Sequence, residues 1–348
     1  MKDHVLVFVP GILGSELFYN GPSRNGNLLK QAVWTGDVAA LFDTLAFSPE
    51  LLHINTPLTV GKILDRLRLS WVKRIDVYRP LLEFFVAQLG YTPEVDFFPY
   101  AYDWRQTNTF SADLLATTLR SRFSEDLPIK FVVHSMGGVI VRLLLSNGIN
   151  QDLVARTRGF VQIGVPARGS SKAFRTLKHS PAFGGLFDHL LSLMHRMDPA
   201  LHTRLLSVLN SFPSLFELMP PESEHIAVNE ADYSYSALYK SFWPTVRDAE
   251  LDSVRRVQMQ LSSPPLSCSL AIYSSDVVTE RDYLVDENFV FRNVVQRVVR
   301  GDGTVSIGSA ILGIDAAKCF VVEGGVPHDK LPNDGKRVWR VLKEELNK

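Results

Sequence analysis

Pro128-Ile-Lys-Phe-Val-Val-His-Ser-Met-Gly-Gly-Val-Ile-Val-Arg-Leu-Leu-Leu145 changes its hydrophobic pattern once, at a serine. The β-branched and aromatic run Ile129 to Val133 has the length and composition of a buried strand. It stops at His134-Ser135-Met136-Gly137-Gly138, and Val139 to Leu145 continues as an apolar helix. A strand that turns sharply into a helix, with Ser at the bend and Gly two residues on, is a nucleophile elbow. The turn pushes the hydroxyl out above the sheet and aims the first unpaired N–H groups of the helix at whatever binds there. The usual pattern also has Gly two residues before the Ser, where a side chain crowds the bend; here that residue is Val133.

Upstream, Val5 to Val9 is a continuous apolar run of the kind found inside a parallel sheet. It ends in the Gly-rich Pro10-Gly11-Ile12-Leu13-Gly14-Ser15, the place for a second oxyanion N–H in an elbow hydrolase. Residues 16–72 read as loop-rich. Asp76 to Leu89 reads as an amphipathic helix stopped by Gly90, Val95 to Arg105 as a strand running into an aromatic turn, and Ser111 to Phe123 as a helix. This alternation implies right-handed crossovers and a mostly parallel central sheet with flanking helices, an α/β-hydrolase fold.

Downstream, Gly159 to Val165 is another short strand, followed by Pro166-Ala-Arg-Gly-Ser170. From 171 to 262 the chain reads as helical, Leu-, Met- and Phe-rich, and broken by prolines, with no strand of the sheet. The expected organisation is therefore a hydrolase core over 1–170 and 263–348, with a helical cap or lid inserted at 171–262. Leu186-Phe187, Leu190-Leu191, Leu193-Met194 and Leu215-Phe216 read as cap core that gives the pocket apolar walls. Ser267 to Tyr273 and Lys318 to Val322 resume the sheet, and Asp334 to Leu346 closes as an amphipathic helix.

Composition narrows the function classes. Of 348 residues 46% are hydrophobic and 21% charged, and 37 Lys plus Arg balance 37 Asp plus Glu, so no field selects nucleic acid. Two cysteines do not make a disulfide framework, and Cys268 and Cys319 read as buried free thiols. Met1-Lys-Asp-His4 leads directly into a core strand, and no apolar run spans a membrane. The expectation is a cytoplasmic protein, at most peripheral to membrane. No cofactor is expected, and the scattered histidines form no metal-ligand cluster.

A serine hydroxyl needs a base and a group to orient that base, and in this fold the chain order is Ser, acid, His. Among nine histidines, His179, His189, His195, His202 and His225 fall in the insertion, while His328 follows the last strand in Gly324-Gly-Val-Pro-His-Asp329. His328 is the expected base. Two acids are open: Asp276, just past the strand ending near Tyr273, and Asp302, between Gly301 and Gly303.

Val9-Pro-Gly-Ile-Leu-Gly-Ser15, Tyr100-Ala-Tyr-Asp-Trp-Arg105, His134-Ser-Met-Gly-Gly138, Gly164-Val-Pro-Ala-Arg-Gly-Ser170, Phe212-Pro-Ser214 with Leu218-Met-Pro220, Gly301-Asp-Gly-Thr-Val305 and His328 follow one another in order. Together they resemble the lecithin:cholesterol acyltransferase-like lipases, which include lysosomal phospholipase/transacylases. The resemblance implies Ser135 as nucleophile, Asp302 as acid, His328 as base, and the N–H groups of Ile12 and Met136 as oxyanion hole. Val133, an extra residue in Tyr-Ala-Tyr-Asp-Trp, and the missing family disulfides and secretion signal depart from the family pattern. The expected activity is hydrolysis of lipid acyl esters, as a phospholipase A, lysophospholipase or lipase, with acyl transfer where an alcohol replaces water. The expected partners are a lipid or acyl-ester substrate and a transient membrane surface. The alternatives are an esterase or thioesterase on small soluble substrates and an inactive hydrolase-fold binding protein.

Overall fold

The computed structural model describes residues 2–22, 28–69, 72–178, 198–221, 225–228, 231–234, 248–285 and 291–348. Six short strands build the central sheet: β1 (Val5–Val9), β2 (Phe97–Pro99), β3 (Ile129–His134), β4 (Thr157–Ile163), β5 (Ser269–Ser274) and β6 (Cys319–Val322). They lie in the order β6-β5-β4-β3-β1-β2, every neighbouring pair parallel. This is the expected α/β-hydrolase sheet. Every residue of β1 and β3 is buried because helices cover both faces, which is why these strands read as unbroken apolar runs.

The two faces divide the core by strand period. Val5, Val7, Val9, Phe131 and Val133 pack with helices α1 (Asn108–Arg122) and α2 (Met136–Ser146). Leu6, Phe8, Val132, Ile163 and Ile272 pack on the other face with Leu81, Phe84, Phe85 and the C-terminal helix Val338–Leu346. Lys130, on the Val132 face of β3 and buried, donates to the carbonyl of Leu346 (3.1 Å), at the end of that helix.

Three stretches differ from the expectation. Residues 16–72 are not loop-rich: Ser15–Pro22, Leu28–Trp34 and Thr59–Ile63 form a three-stranded antiparallel sheet, with a helix at Val38–Phe47. Register shifts near Leu17 break the two-residue alternation that would have revealed the strands. The helix expected over Asp76 to Leu89 is a short α-turn at Arg79–Glu83 that widens into a π-turn over Phe84–Gln88. A long antiparallel hairpin, Val277–Val285 with Phe291–Gly301, follows β5 and runs directly into Asp302.

Residues 171–262 add no strand to the central sheet among the described residues. They form helices Ser171–Lys178, Pro199–Leu209, Pro213–Glu217 and Asp248–Leu261, plus a short hairpin, His225–Val228 with Ala231–Ser234. Leu215 and Phe216 are buried, and so is His202. Leu186-Phe187, Leu190-Leu191 and Leu193-Met194, with His179, His189 and His195, lie outside the described residues. Cys268 and Cys319 are free thiols, half-buried rather than buried. Among the described residues no helix is long and apolar enough to cross a membrane.

Candidate active site

The bend between β3 and α2 puts Ser135 at φ +52°, ψ −128°, a left-handed conformation rare for a side chain other than glycine. The Ser135 N–H is spent on the Ile163 carbonyl of β4 (3.0 Å) and its carbonyl accepts from Gly138 (2.9 Å), so neighbouring elements hold the strain in place. The glycines after the serine are sterically required. A Cβ on Gly137 would stand 2.4 Å from the Val9 carbonyl oxygen, and one on Gly138 would stand 2.1 Å from Val165 Cγ2. Val133, by contrast, is fully buried on the α1–α2 face with Val9 and Met136. Its side chain goes into the core, so the missing glycine does not disturb the bend.

Ser135, Asp302 and His328 meet at the C-terminal ends of the strands. His328 Nε2 lies 2.9 Å from Ser135 Oγ, and His328 Nδ1 lies 2.7 Å from Asp302 Oδ2. The other carboxylate oxygen accepts from the N–H groups of Thr304 (2.9 Å) and Val305 (2.7 Å). Gly303, at φ +87°, makes that tight turn possible, and its N–H is tied to Thr279 Oγ1 (2.9 Å) on the hairpin. The backbone joins the pair as well, because the His328 N–H donates to the Asp302 carbonyl (2.9 Å). Behind them, a Cβ on Gly164 would come within 3.0 Å of both Asp302 Oδ2 and His328 Nδ1. Asp276 is elsewhere: it accepts from Gly324 N–H (2.8 Å) and faces Arg300 (3.7 Å) at an exposed turn.

Met136, the first residue of α2, has no helical acceptor for its N–H. Ile12 lies in the turn closed by Gly14 N–H to Gly11 carbonyl (3.1 Å), and its N–H has no hydrogen-bond partner among the described residues. Ile12 lines the same cavity as Ser135 and His328, and Met136 directly follows Ser135 in the chain. The Tyr-Ala-Tyr-Asp-Trp-Arg motif braces this loop. Tyr102 O–H donates to the Pro10 carbonyl (2.9 Å), and Trp104 Nε1–H to the Ser15 carbonyl (3.0 Å). Arg105, fully buried, grips Asp103 through two bonds (2.9 and 2.7 Å) and donates to the carbonyls of Leu52, His53 and Thr56.

A buried relay that the sequence did not single out joins the loop to the histidine. Gly11 N–H donates to Tyr78 Oη (2.8 Å), and Tyr78 O–H donates to His134 Nδ1 (2.7 Å). His134 Nε2–H donates to the His328 carbonyl (3.2 Å). Burial, with His328 alongside, holds His134 well below the usual imidazole range, so it stays neutral and keeps the donor–acceptor sense this chain needs. Its position beside Ser135 was a clue; Tyr78 offered none, being 56 residues away.

Above the serine is a cavity of about 520 Å³, walled by Leu13, Trp34, Leu64, Leu67, Leu215 and Leu218. Leu215 and Leu218 come from the stretch between β4 and β5, so that stretch shares the cavity with the loops of the central sheet. Among the described residues, no group of three or more His, Cys, Asp or Glu side chains is placed to hold a metal ion.

Residues 61–263 match the sequence model of the lecithin:cholesterol acyltransferase family, more than half of the chain. The chain belongs to the lecithin:cholesterol acyltransferase family. The matched span of this family member contains the elbow, the Tyr-Ala-Tyr-Asp-Trp-Arg motif and Phe212-Pro-Ser214, whereas Ile12, Asp302 and His328 lie outside it. A solved structure of the Tle4–Tli4 complex is similar in fold, with a TM-score of 0.67 at 15% identity over 99% of this chain and 98% of that one. Lipase 1 from Pelosinus fermentans scores 0.40 at 14% identity over 99% of each chain. The mature Bacillus licheniformis lipase BlEst2 scores 0.38 at 11% identity, over 98% of this chain and 91% of that one. No curated protein matches the sequence significantly.

Proposed function

We propose that this family member is a serine hydrolase of lipid acyl esters, with Ser135 as nucleophile, His328 as base and Asp302 as orienting acid. The observation that carries the reading is the unbroken line Ser135 Oγ, His328, Asp302, at 2.9 and 2.7 Å, opening into an apolar cavity of about 520 Å³. His328 Nε2 takes the hydroxyl proton as Oγ attacks the acyl carbonyl, and Asp302 keeps Nδ1 protonated and stabilises the imidazolium. The N–H groups of Ile12 and Met136 receive the oxyanion, each contributing about 3–4 kcal/mol to the transition state in comparable sites. The imidazolium then protonates the leaving alcohol. Water, deprotonated by His328, attacks the acyl-enzyme and frees the fatty acid; an acceptor alcohol in its place turns the cycle into acyl transfer.

Segment 171–262 acts in this reading as the cap, since its Leu215 and Leu218 close the cavity over Ser135. The lipid substrate follows from family membership and from the apolar walls. A fluorophosphonate probe should label the wild type and leave Ser135→Ala untouched. Phospholipid vesicles should be hydrolysed at rates that soluble short-chain p-nitrophenyl esters do not reach. Labelling that survives in the alanine variant overturns the nucleophile, and activity confined to short soluble esters overturns the lipid assignment.

A further inference from the structure

The acid of the triad sits at the end of a long hairpin, and the hairpin reaches back to hold it. Strand Val277–Val285 pairs with Phe291–Gly301, and Val277 bridges on to Asp302 itself. Thr279, on the first of these strands, is only 1% exposed. Its Oγ1 accepts from Gly303 N–H (2.9 Å), while its own O–H donates to the Val277 carbonyl (3.2 Å). The hydroxyl proton is therefore committed, and the oxygen is left to act as an acceptor. A Cβ on Gly301 would stand 2.5 Å from that same oxygen, so Thr279 packs against both glycines that flank Asp302.

The turn that Thr279 grips is the one that aims the carboxylate. The N–H groups of Thr304 and Val305 bond to Asp302 Oδ1, and the Asp302 N–H bonds to the Val305 carbonyl (3.2 Å). These three amides are satisfied inside the turn; the Gly303 N–H leaves it, for Thr279. We infer that Thr279 is a positioning residue for the catalytic acid: by anchoring Gly303 it fixes the turn that holds Asp302 Oδ2 against His328 Nδ1. The inference rests on the reading of Ser135, His328 and Asp302 as a triad. Thr279 does not line the cavity above Ser135, so its influence on the reaction runs through the acid and not through substrate contact. A misplacement of about 1 Å in a catalytic group is enough to cost up to about 100-fold in rate.

The test uses the full-length chain and p-nitrophenyl butyrate, with the rates of the Thr279 variants expressed per site titrated by a fluorophosphonate. Thr279→Val keeps the branched shape and removes the acceptor, whereas Thr279→Ser keeps the acceptor. The valine variant should lose about 10–30-fold in kcat with KM within about twofold, and the serine variant should stay within about threefold of wild type. In proton NMR, the downfield resonance of the His328 Nδ1–H should move upfield in Thr279→Val and persist in Thr279→Ser. Asp302→Asn sets the scale, with a loss of about 10⁴-fold, and adding Thr279→Val to it should cost at most about twofold more. If the valine variant does not fold, Thr279→Cys decides the question: sulfur is a weak acceptor, and kcat should fall about 3–10-fold. Turnover per titrated site within twofold of wild type in the valine or cysteine variant, whatever its melting temperature, overturns the inference and leaves the triad standing. So does a loss in Thr279→Ser as large as that in Thr279→Val. Turnover that survives Asp302→Asn overturns the triad, and this inference with it.

Discussion

Val133 and Tyr78 mark opposite failures of motif reading at the residue scale. Val133 breaks the Gly-x-Ser-x-Gly pattern, yet the bend tolerates it because its side chain is core and the close approaches are at Gly137 and Gly138. Val133→Gly should therefore restore the consensus and damage the protein. Loss of a fully buried valine and gain of backbone freedom should cost about 3 kcal/mol in denaturant melts, with no rise in esterase activity. Tyr78 carries no motif, yet its hydroxyl links Gly11 N–H to His134. Tyr78→Phe leaves the ring in place and strands both partners. The Gly11–Gly14 turn then loses its fixed position, and kcat should fall about 10–100-fold with KM within about twofold. A kcat within twofold of wild type would show that the other braces of the loop suffice.

Among the elements, helices between β4 and β5 are fastened to α1 by buried polar groups. Glu217, at the end of Pro213–Glu217, accepts from Asn108 N–H (2.6 Å) and Nδ2–H (2.9 Å) at the start of α1, and from Ser253 Oγ–H (3.3 Å). Burial pushes its carboxyl up to about 7 despite those donors. The folded state thus holds the proton more tightly than the unfolded chain. The stability this group adds is complete below the ordinary glutamate value of 4.5 and disappears as pH rises through about 7. Glu217→Gln should match wild type near pH 4 and gain on it by up to roughly 3 kcal/mol at pH 8. Thermal melts across that range check the sign: a variant that loses ground as pH rises would refute it. Arg105 plays the corresponding role on the other side of the cavity. Its side chain donates to Asp103 and to the carbonyls of Leu52, His53 and Thr56, so the motif arginine stitches the N-terminal segment to the turn after β2.

For the whole molecule, the cavity is a joint product of the central sheet's loops, the N-terminal segment and the stretch between β4 and β5, and its walls should decide chain length. Leu67, on the short hairpin Arg66–Arg68 with Arg74–Asp76, lines it and is only half-buried, so it can be changed without collapsing the core. Leu67→Ser should lower kcat/KM for long-chain p-nitrophenyl esters by about 5–10-fold and leave the acetate ester unchanged. An equal loss on both would place the acyl chain elsewhere. The sequence by itself determined what depends on local pattern: β1, β3, the elbow, the sheet's parallel order, and the candidate serine and histidine. Apolar runs, glycine placement and chain order are written in neighbouring residues and survive any change of surroundings. Between Asp276 and Asp302, local reading alone could not choose, because both follow plausible turns. The family resemblance pointed to Asp302, and the hairpin Val277–Gly301 carries the chain back so that Asp302 reaches His328 while Asp276 turns outward. The antiparallel sheet before residue 64 and the Tyr78–His134 relay emerged only in the tertiary structure. Each depends on groups far apart in sequence, and a hydrogen bond between them exists only once folding has set its distance.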